Sequence, residues 1–165
     1  MSRIIFITGT DTGAGKTVLT ALLLVHLRQR GINTLAIKPF CSGNRRDARC
    51  LSGLQGDILP LELVNPWFAK APVAPGIGLR KSGKKPNKNA VMAHIRAMAK
   101  RCDLLLVEGA GGLLSPLGEN LDARGIIRAL KCPVLVAARN RLGCLNHILL
   151  TAQALNIAGT KRIKV

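Results

Sequence analysis

The chain has 165 residues, of which 48% are hydrophobic, so its length and composition allow one domain with a buried core and argue against disorder. It carries 25 Lys and Arg against 8 Asp and Glu, and the net charge of +17 would attract anions such as nucleotides, nucleic acid or acidic lipid. The aromatic residues are only one Trp and three Phe, which leaves few platforms on which single-stranded nucleic acid could stack. We therefore interpret the excess of Lys and Arg as mostly solvated surface and expect no nucleic-acid partner.

Membrane and targeting signals are not predicted. No apolar run approaches the roughly 20 residues of a membrane span, and the N-terminus enters a predicted strand without the pattern of a signal peptide. The cysteines show no paired spacing of a zinc site, and we expect most of them to be small buried residues; they are Cys41, Cys50, Cys102, Cys132 and Cys144. We therefore expect a cytoplasmic protein without a membrane partner.

The predicted elements alternate between strands and helices along the chain. They are a strand at 3–8, a helix at about 17–30, a strand at 34–38, a short helix near 47–54, a helix at 90–101, a strand at 104–107, a helix near 121–130, a strand at 133–138, a helix at 145–157 and the start of a strand at 162–165. Residues 56–88 contain five prolines and are predicted to be irregular, with a mobile basic segment at 80–85. The alternation predicts a single α/β domain over residues 1–165, a three-layer sandwich with a mostly parallel sheet between helices.

A glycine-rich segment, GTDTGAGKT at residues 9–17, joins the first strand to the first helix. This is the context of a phosphate-binding loop, although Thr10 stands where the motif has its first glycine. Lys16 would reach the β- and γ-phosphates of a nucleotide, and the Thr17 hydroxyl would coordinate Mg²⁺. A glycine-rich turn without a ligand is the less favoured alternative. The residues expected to hold the nucleotide here are Gly13, Ala14, Gly15, Lys16, Thr17 and Val18.

Two carboxylates are candidates for the same rim of the sheet. Glu108 ends the apolar strand at 104–107, and ligands of open α/β sheets bind at the carboxyl ends of the strands. We expect Glu108 to contact Mg²⁺ or the nucleotide, with Gly109, Ala110 and Gly111 allowing close approach to phosphate. Asp47 could join this rim or could instead be the N-cap of the following short helix.

Taken together, the motifs resemble those of dethiobiotin synthases, and they occur in the family's order over most of the chain. The matching blocks are GTDTGAGKT at 9–17, KPFCSG at 38–43, Asp47, VEGAGGLLSPL at 107–117 and LGCLNHILLTAQAL at 142–155. The resemblance implies a P-loop ATP-binding domain that acts as a homodimer. It also implies ATP- and Mg²⁺-dependent joining of CO₂ to 7,8-diaminononanoate, through a carbamate and a carbamic-phosphoric anhydride, to close the cyclic urea of dethiobiotin in biotin biosynthesis.

The resemblance also carries roles for individual residues. Lys38 matches the family's catalytic lysine and would stabilise the carbamate, while Lys16 would neutralise the phosphates. Ser42 matches a substrate-contacting serine. Thr17, Asp47 and Glu108 match the positions associated with Mg²⁺. The start of the helix after Leu142 matches a segment that meets the substrate of the partner subunit; its residues are Gly143, Cys144 and Asn146.

The chain departs from the family pattern at some positions. Lys70 stands where an acidic residue is common, and family members continue past the position of Val165 into segments that recognise adenine, so we predict a chain that lacks the family's C-terminal elements. Two other functions stay open from the residues. One is a nucleotide-switch ATPase, which Asp11 disfavours because that group has a lysine there. The other is a basic nucleotide- or nucleic-acid-binding protein without catalysis.

Overall fold

The computed structural model of the protein describes residues 3–160 and 162–165. The strands are β1 (Arg3–Gly9), β2 (Thr34–Ile37), β3 (Phe40–Ser42), β4 (Trp67–Ala69), β5 (Leu104–Glu108), β6 (Val134–Ala137) and β7 (Ile163–Lys164). The helices are α1 (Lys16–Gln29), α2 (Arg46–Leu54), α3 (Leu61–Val64), α4 (Pro75–Lys81), α5 (Lys88–Ala99), α6 (Ala123–Leu130) and α7 (Cys144–Ile157). Within the described ranges, no helix is both long and apolar enough to cross a membrane.

Five parallel strands form the main sheet in the order β2-β5-β1-β6-β7. Every residue of β2 and β5 is buried, as expected for parallel strands covered on both faces. For this strand order, the right-handed rule for βαβ crossovers predicts α1 on one face of the sheet and α5 and α6 on the other. Helix α1 packs against β1, β2, β5 and β6, while α5 contacts α6 and β5. The predicted α/β class with a parallel sheet between helices is confirmed.

The prediction of an irregular segment at 56–88 is wrong. It contains α3, β4 and α4, and β4 pairs in parallel with β3 to form a second, two-stranded sheet. The prolines mark helix starts here, since Pro60 is the N-cap of α3 and Pro75 begins α4, where a missing N–H costs nothing. The first part of the basic segment, Arg80–Lys81, is the last turn of α4.

Strand β2 is one edge of the main sheet, and a side chain from α2's C-terminus satisfies its free backbone groups. The Gln55 carboxamide is fully buried; its Oε1 accepts from Ala36 N at 3.0 Å and its Nε2 donates to Ala36 O at 3.1 Å. This pair of bonds mimics a neighbouring strand and closes the edge. It thereby holds the strand that carries Lys38 at its end.

Candidate active site

The phosphate loop runs from the end of β1 at Gly9 to the start of α1 at Lys16. Gly13 and Gly15 have φ of 68° and 92°, in the left-handed region that glycine adopts without steric cost. Gly15 is the N-cap of α1, and no side chain among the described residues caps this helix, whose first turn has no acidic residue. Its first N–H groups and the positive end of its dipole are therefore open to an anion.

The Lys16 side chain folds back over this loop. Its Nζ donates to Asp11 O at 2.8 Å, and the residue is only 6% exposed. Burial, reinforced by the nearby ammonium of Lys38, lowers the pKa of Lys16 from 10.5 to about 8. A phosphate group placed beside Lys16 would strongly stabilise the charged form of this buried ammonium.

Lys38 and Glu108 come together at the same edge of the sheet. Lys38 directly follows Ile37, the last residue of β2, and Glu108 is the last residue of β5. The β2–β5 register pairs Ile37 with Val107, so Lys38 and Glu108 come next on neighbouring strands. Lys38 Nζ donates to Glu108 Oε1, and the two side chains are 7% and 0% exposed. Burial opposes the charged form of Lys38, but the carboxylates of Glu108 and Asp47 outweigh it and raise its pKa above the ordinary value.

Asp47 and Thr17 complete this cluster. Asp47 Oδ2 lies 2.9 Å from Lys38 Nζ, and the Thr17 hydroxyl donates to Glu108 Oε1 at 2.6 Å. Partial burial raises the pKa of the Asp47 carboxyl, but the Lys38 ammonium outweighs this effect and lowers that pKa below its ordinary value. The alternative role of Asp47 as an N-cap is wrong, because Arg45 occupies the N-cap of α2 and Asp47 lies in its first turn.

The cluster fits a magnesium ion. Its oxygen atoms are the hard ligands that Mg²⁺ prefers, and Glu108 Oε2 is buried with no hydrogen-bond partner in the described part of the chain. That part of the chain holds no group of three or more His, Cys, Asp or Glu side chains suited to a metal. A cation at Glu108 would therefore draw on Thr17, Asp47 and phosphate oxygens, which is how Mg²⁺ binds in nucleotide sites.

One cavity of about 750 Å³ joins the loop and the cluster. The predicted site residues that line it are Gly13, Gly15, Lys16, Thr17, Val18, Lys38, Ser42, Asp47, Glu108, Ala110 and Gly111. Ala14 and Gly109 lie outside the lining, and the Gly109 N–H donates to Ile7 O at 2.8 Å. The volume of this cavity is that of a site for a nucleotide-sized ligand.

Other lining residues were not predicted from the sequence. They are Thr12, Phe40, Cys41, Asn44, Pro72, Val73, Ala74, Pro75 and Ser115. Burial raises the pKa of the Cys41 thiol to about 11, so this thiol stays protonated at neutral pH. Phe40 stacks on Trp67, its cross-strand partner in the small sheet, with ring centroids 5.1 Å apart. Thr12, Phe40, Cys41 and Ser115 lie within the matching sequence blocks, whereas the tertiary fold, rather than a motif, brings Asn44 and the 72–75 segment to the cavity.

Asn65 holds the backbone of Lys38 and was also not predicted. It is fully buried, and its Nδ2 donates to Lys38 O at 2.8 Å and to Pro39 O at 3.2 Å. Lys38 N in turn donates to Val64 O at 3.0 Å. The end of α3 therefore fixes the main chain from which the Lys38 side chain extends. An Asn after a short helix carries no sequence signal for this role.

Arg139, which follows β6, lies against the phosphate loop. Its Nε donates to Gly13 O at 2.7 Å, and β6 pairs with β1 on the side opposite β5. The guanidinium thus braces the loop from the side away from Lys38 and Glu108.

The start of α7 does not reach this cavity. Gly143 is the N-cap with φ of 88°, and Gly143, Cys144 and Asn146 are absent from the cavity lining of their own chain. Leu142 is fully exposed, while Leu145 and Leu149 are 72% and 68% exposed. Leu145 and Leu149 give α7 an uncovered apolar stripe, and Leu142 precedes the helix.

The sequence matches known proteins along nearly its whole length. A family profile described as an AAA domain matches residues 3–165. An ATP-dependent dethiobiotin synthetase from Chromohalobacter salexigens is 37% identical over 163 residues, covering 93% of this chain and 69% of that protein. Another of that name from Anaeromyxobacter sp. is 41% identical over 161 residues, covering 95% and 72%. The chain belongs to the dethiobiotin synthetase family.

Membership of the dethiobiotin synthetase family confirms the resemblance predicted from the motifs. Three of the matching blocks, at 9–17, 38–43 and 107–117, contribute to the one cavity, and the block at 142–155 forms α7 outside it. Among solved structures, the BceF tyrosine kinase domain superposes with a TM-score of 0.61 at 21% identity, over 97% of this chain and 66% of that one. That likeness shows the fold alone.

Proposed function

We propose that this chain converts 7,8-diaminononanoate and CO₂ to dethiobiotin at the expense of ATP, as a member of the dethiobiotin synthetase family. The observation that carries the proposal is the convergence of Lys16, Lys38 and Glu108 on one cavity at the strand ends. Lys16 in this cavity provides a cation for the phosphates, and Lys38 and Ser42 line the same cavity.

The polyphosphate of ATP binds along the phosphate loop. The uncapped N–H groups at the start of α1 donate to the phosphate oxygens, and Lys16 exchanges its bond to Asp11 O for a bond to the phosphates. Lys38 and Glu108 lie on the β5 and β2 side of β1, and the γ-phosphate would point toward them because it has to reach the carbamate. Phosphoryl transfer needs this positioning and charge neutralisation more than covalent catalysis.

Thr17, Asp47 and Glu108 hold Mg²⁺ in the nucleotide complex. When bound, the ion neutralises charge on the phosphates. The unpartnered Oε2 of Glu108 supports this assignment, since a buried carboxylate oxygen needs a partner.

The bond changes are those that membership of the dethiobiotin synthetase family implies for a diamine, CO₂ and ATP. One amine attacks CO₂, loses a proton and forms a carbamate, whose oxygen then takes the γ-phosphoryl group as ADP leaves. The second amine attacks the carbonyl carbon of this anhydride, phosphate leaves, and the five-membered ring closes. Lys38 stabilises the carbamate and the charge that develops on it, and Ser42 contacts the substrate.

The protein acts as a homodimer through the exposed stripe of α7. Isolated apolar side chains on a surface are ordinary, but the exposed Leu145 and Leu149 lie one turn apart on one side of α7, and the exposed Leu142 precedes that helix. The uncapped N-terminus of α7 at Gly143, with Cys144 and Asn146, would then face the substrate of the partner subunit. A monomer at micromolar concentration in sedimentation would contradict this arrangement.

A labelling experiment tests the proposed reaction. The purified chain is incubated with diaminononanoate, ¹³C-bicarbonate and Mg·ATP, and dethiobiotin is sought by mass spectrometry. We expect a product with one ¹³C in its urea carbonyl, formed together with ADP and phosphate. Omission of ATP should abolish it. ATP hydrolysis without labelled product would contradict the proposal and favour a nucleotide-switch ATPase.

A further inference from the structure

We propose that Lys38 occupies the cation position of the site until a divalent cation enters, so that metal entry and release of the Lys38 ammonium are one event. This inference rests on the proposed function, which assigns Glu108 and Asp47 to the metal. It adds an order of assembly to that function: Lys38 becomes available to the substrate only in the metal-loaded site.

The ammonium of Lys38 bridges the carboxylates assigned to the metal. Its Nζ contacts Glu108 Oε1 and lies 2.9 Å from Asp47 Oδ2. Thr17 Oγ1 donates to the same oxygen of Glu108 at 2.6 Å. The three oxygen-bearing side chains, which come from α1, α2 and β5, are thus gathered around one lysine nitrogen and one carboxylate oxygen.

A divalent cation and the ammonium cannot share this arrangement. Both need the Glu108 carboxylate and Asp47, and two positive charges within contact distance in a buried site repel each other strongly. The ammonium also leaves Glu108 Oε2 without a hydrogen-bond partner among the described residues. A hard cation with twice the charge satisfies a buried carboxylate better, so it displaces the lysine.

Hydrogen bonds hold the main chain of Lys38 but not the stem of its side chain. Asn65 Nδ2 and Val64 O hold its main chain, whereas the four-carbon stem of a lysine is flexible. Lys38 and Ser42 line the same cavity, so an ammonium released from Glu108 remains in the space assigned to the substrate. The exchange therefore delivers a free cation to the carbamate.

The test uses Mn²⁺ as the probe in the absence of nucleotide and substrate. Electron paramagnetic resonance counts free Mn²⁺ in titrations of the wild-type protein and of Lys38→Met. We expect Lys38→Met to bind Mn²⁺ about tenfold or more tightly than the wild type, because the competing buried charge is gone. The double variant Lys38→Met/Glu108→Gln should return to weak binding.

Two results are decisive against the exchange. Equal Mn²⁺ affinities in the wild type and Lys38→Met would overturn it, as would an equal gain in Lys70→Met. Lys70 is exposed and forms no ion pair within the described residues, so its loss removes the same charge without removing a partner of Glu108, and it serves as the matched control.

A measurement on the wild type covers the case in which Lys38→Met does not fold. The ε-methylene resonance of Lys38 in ¹³C-lysine-labelled protein, assigned with Lys38→Arg, should shift when Mg²⁺ is added to a complex with a non-hydrolysable ATP analogue. An unmoved resonance would overturn the exchange. The Mn²⁺ titration contains no substrate, so its result is independent of the proposed reaction. Dethiobiotin synthesis without the exchange would contradict only this inference. The exchange without dethiobiotin synthesis would contradict only the proposed function.

Discussion

The ammonium of Lys38 donates to the carboxylate of Glu108, although 70 residues separate the two along the chain. The parallel register of β2 and β5 pairs Ile37 with Val107, so the residues that follow meet at the carboxyl ends of the strands. A shift of this register by one residue would turn one of the two side chains to the other face of the sheet. The charge pair at the centre of the site is therefore a product of strand pairing.

Removal of one partner of this pair should destabilise the fold. We expect Lys38→Met to lower the free energy of unfolding by about 3–5 kcal/mol, because it leaves Glu108 buried and unpaired. Lys38→Met/Glu108→Gln should lose much less, since no uncompensated charge remains. Urea unfolding of the three proteins measures the difference. A double variant as unstable as Lys38→Met would show that packing, rather than charge, dominates at this position.

The phosphate loop should be required for nucleotide binding. Lys16→Met removes the cation that faces the phosphates, and Thr17→Val removes the hydroxyl that donates to Glu108. We expect each to weaken Mg·ATP binding by about tenfold or more in calorimetry and to suppress dethiobiotin formation. Thr17→Ser keeps the hydroxyl and should retain both properties. Unchanged affinity in Lys16→Met and Thr17→Val would contradict the assignment of the loop.

Lys38 should matter more for synthesis than for nucleotide binding. Lys38→Arg keeps a positive charge beside Glu108 but replaces a flexible ammonium with a planar guanidinium. We expect dethiobiotin formation at saturating ATP to fall by about tenfold or more while ATP affinity changes little, because the carbamate needs the ammonium. A collapse of ATP affinity with normal turnover at saturating ATP would identify Lys38 as a nucleotide ligand instead.

Nucleotide binding should take up protons in mildly alkaline solution. The pKa of Lys16 is about 8 in the free protein, so the side chain is charged below that pH and increasingly neutral above it. Phosphate beside Lys16 favours the charged form and raises its pKa, so affinity should fall as the pH rises above 8. Calorimetry in two buffers of different ionisation enthalpy measures the uptake. Lys16→Arg stays charged and should show no uptake from this residue; a wild type that behaves in the same way would refute the assignment.

Asn65 should contribute to stability through the backbone of Lys38. Asn65→Ala removes the donor to Lys38 O and Pro39 O inside the core. We expect a loss of about 2–3 kcal/mol, because buried carbonyls lose a partner. Asn89→Ala, on the exposed side of α5, is the matched control and should be neutral. Equal denaturation midpoints for Asn65→Ala and Asn89→Ala would show that water or a rearranged side chain replaces these bonds.

Local sequence patterns were sufficient where neighbouring residues decide the structure. The strand-turn-helix order around GTDTGAGKT predicted the phosphate loop, and the apolar run before Glu108 predicted a buried strand with an acid at its end. The same logic failed at 56–88, where prolines that begin helices were interpreted as breakers. A proline fixes φ in both settings, so composition alone does not separate a loop from the first turn of a helix.

By itself, the sequence determined the class of the fold, the phosphate loop and the family, because these depend on hydrophobic periodicity and on motifs of contiguous residues. Only the tertiary structure decided that Asp47 pairs with Lys38 instead of capping α2, that Asn65 holds the Lys38 backbone, and that the 72–75 segment forms a wall of the cavity. These contacts join residues far apart in the chain, and their partners are set by strand register and helix packing. No local pattern of residue types encodes which of several equally polar side chains will meet.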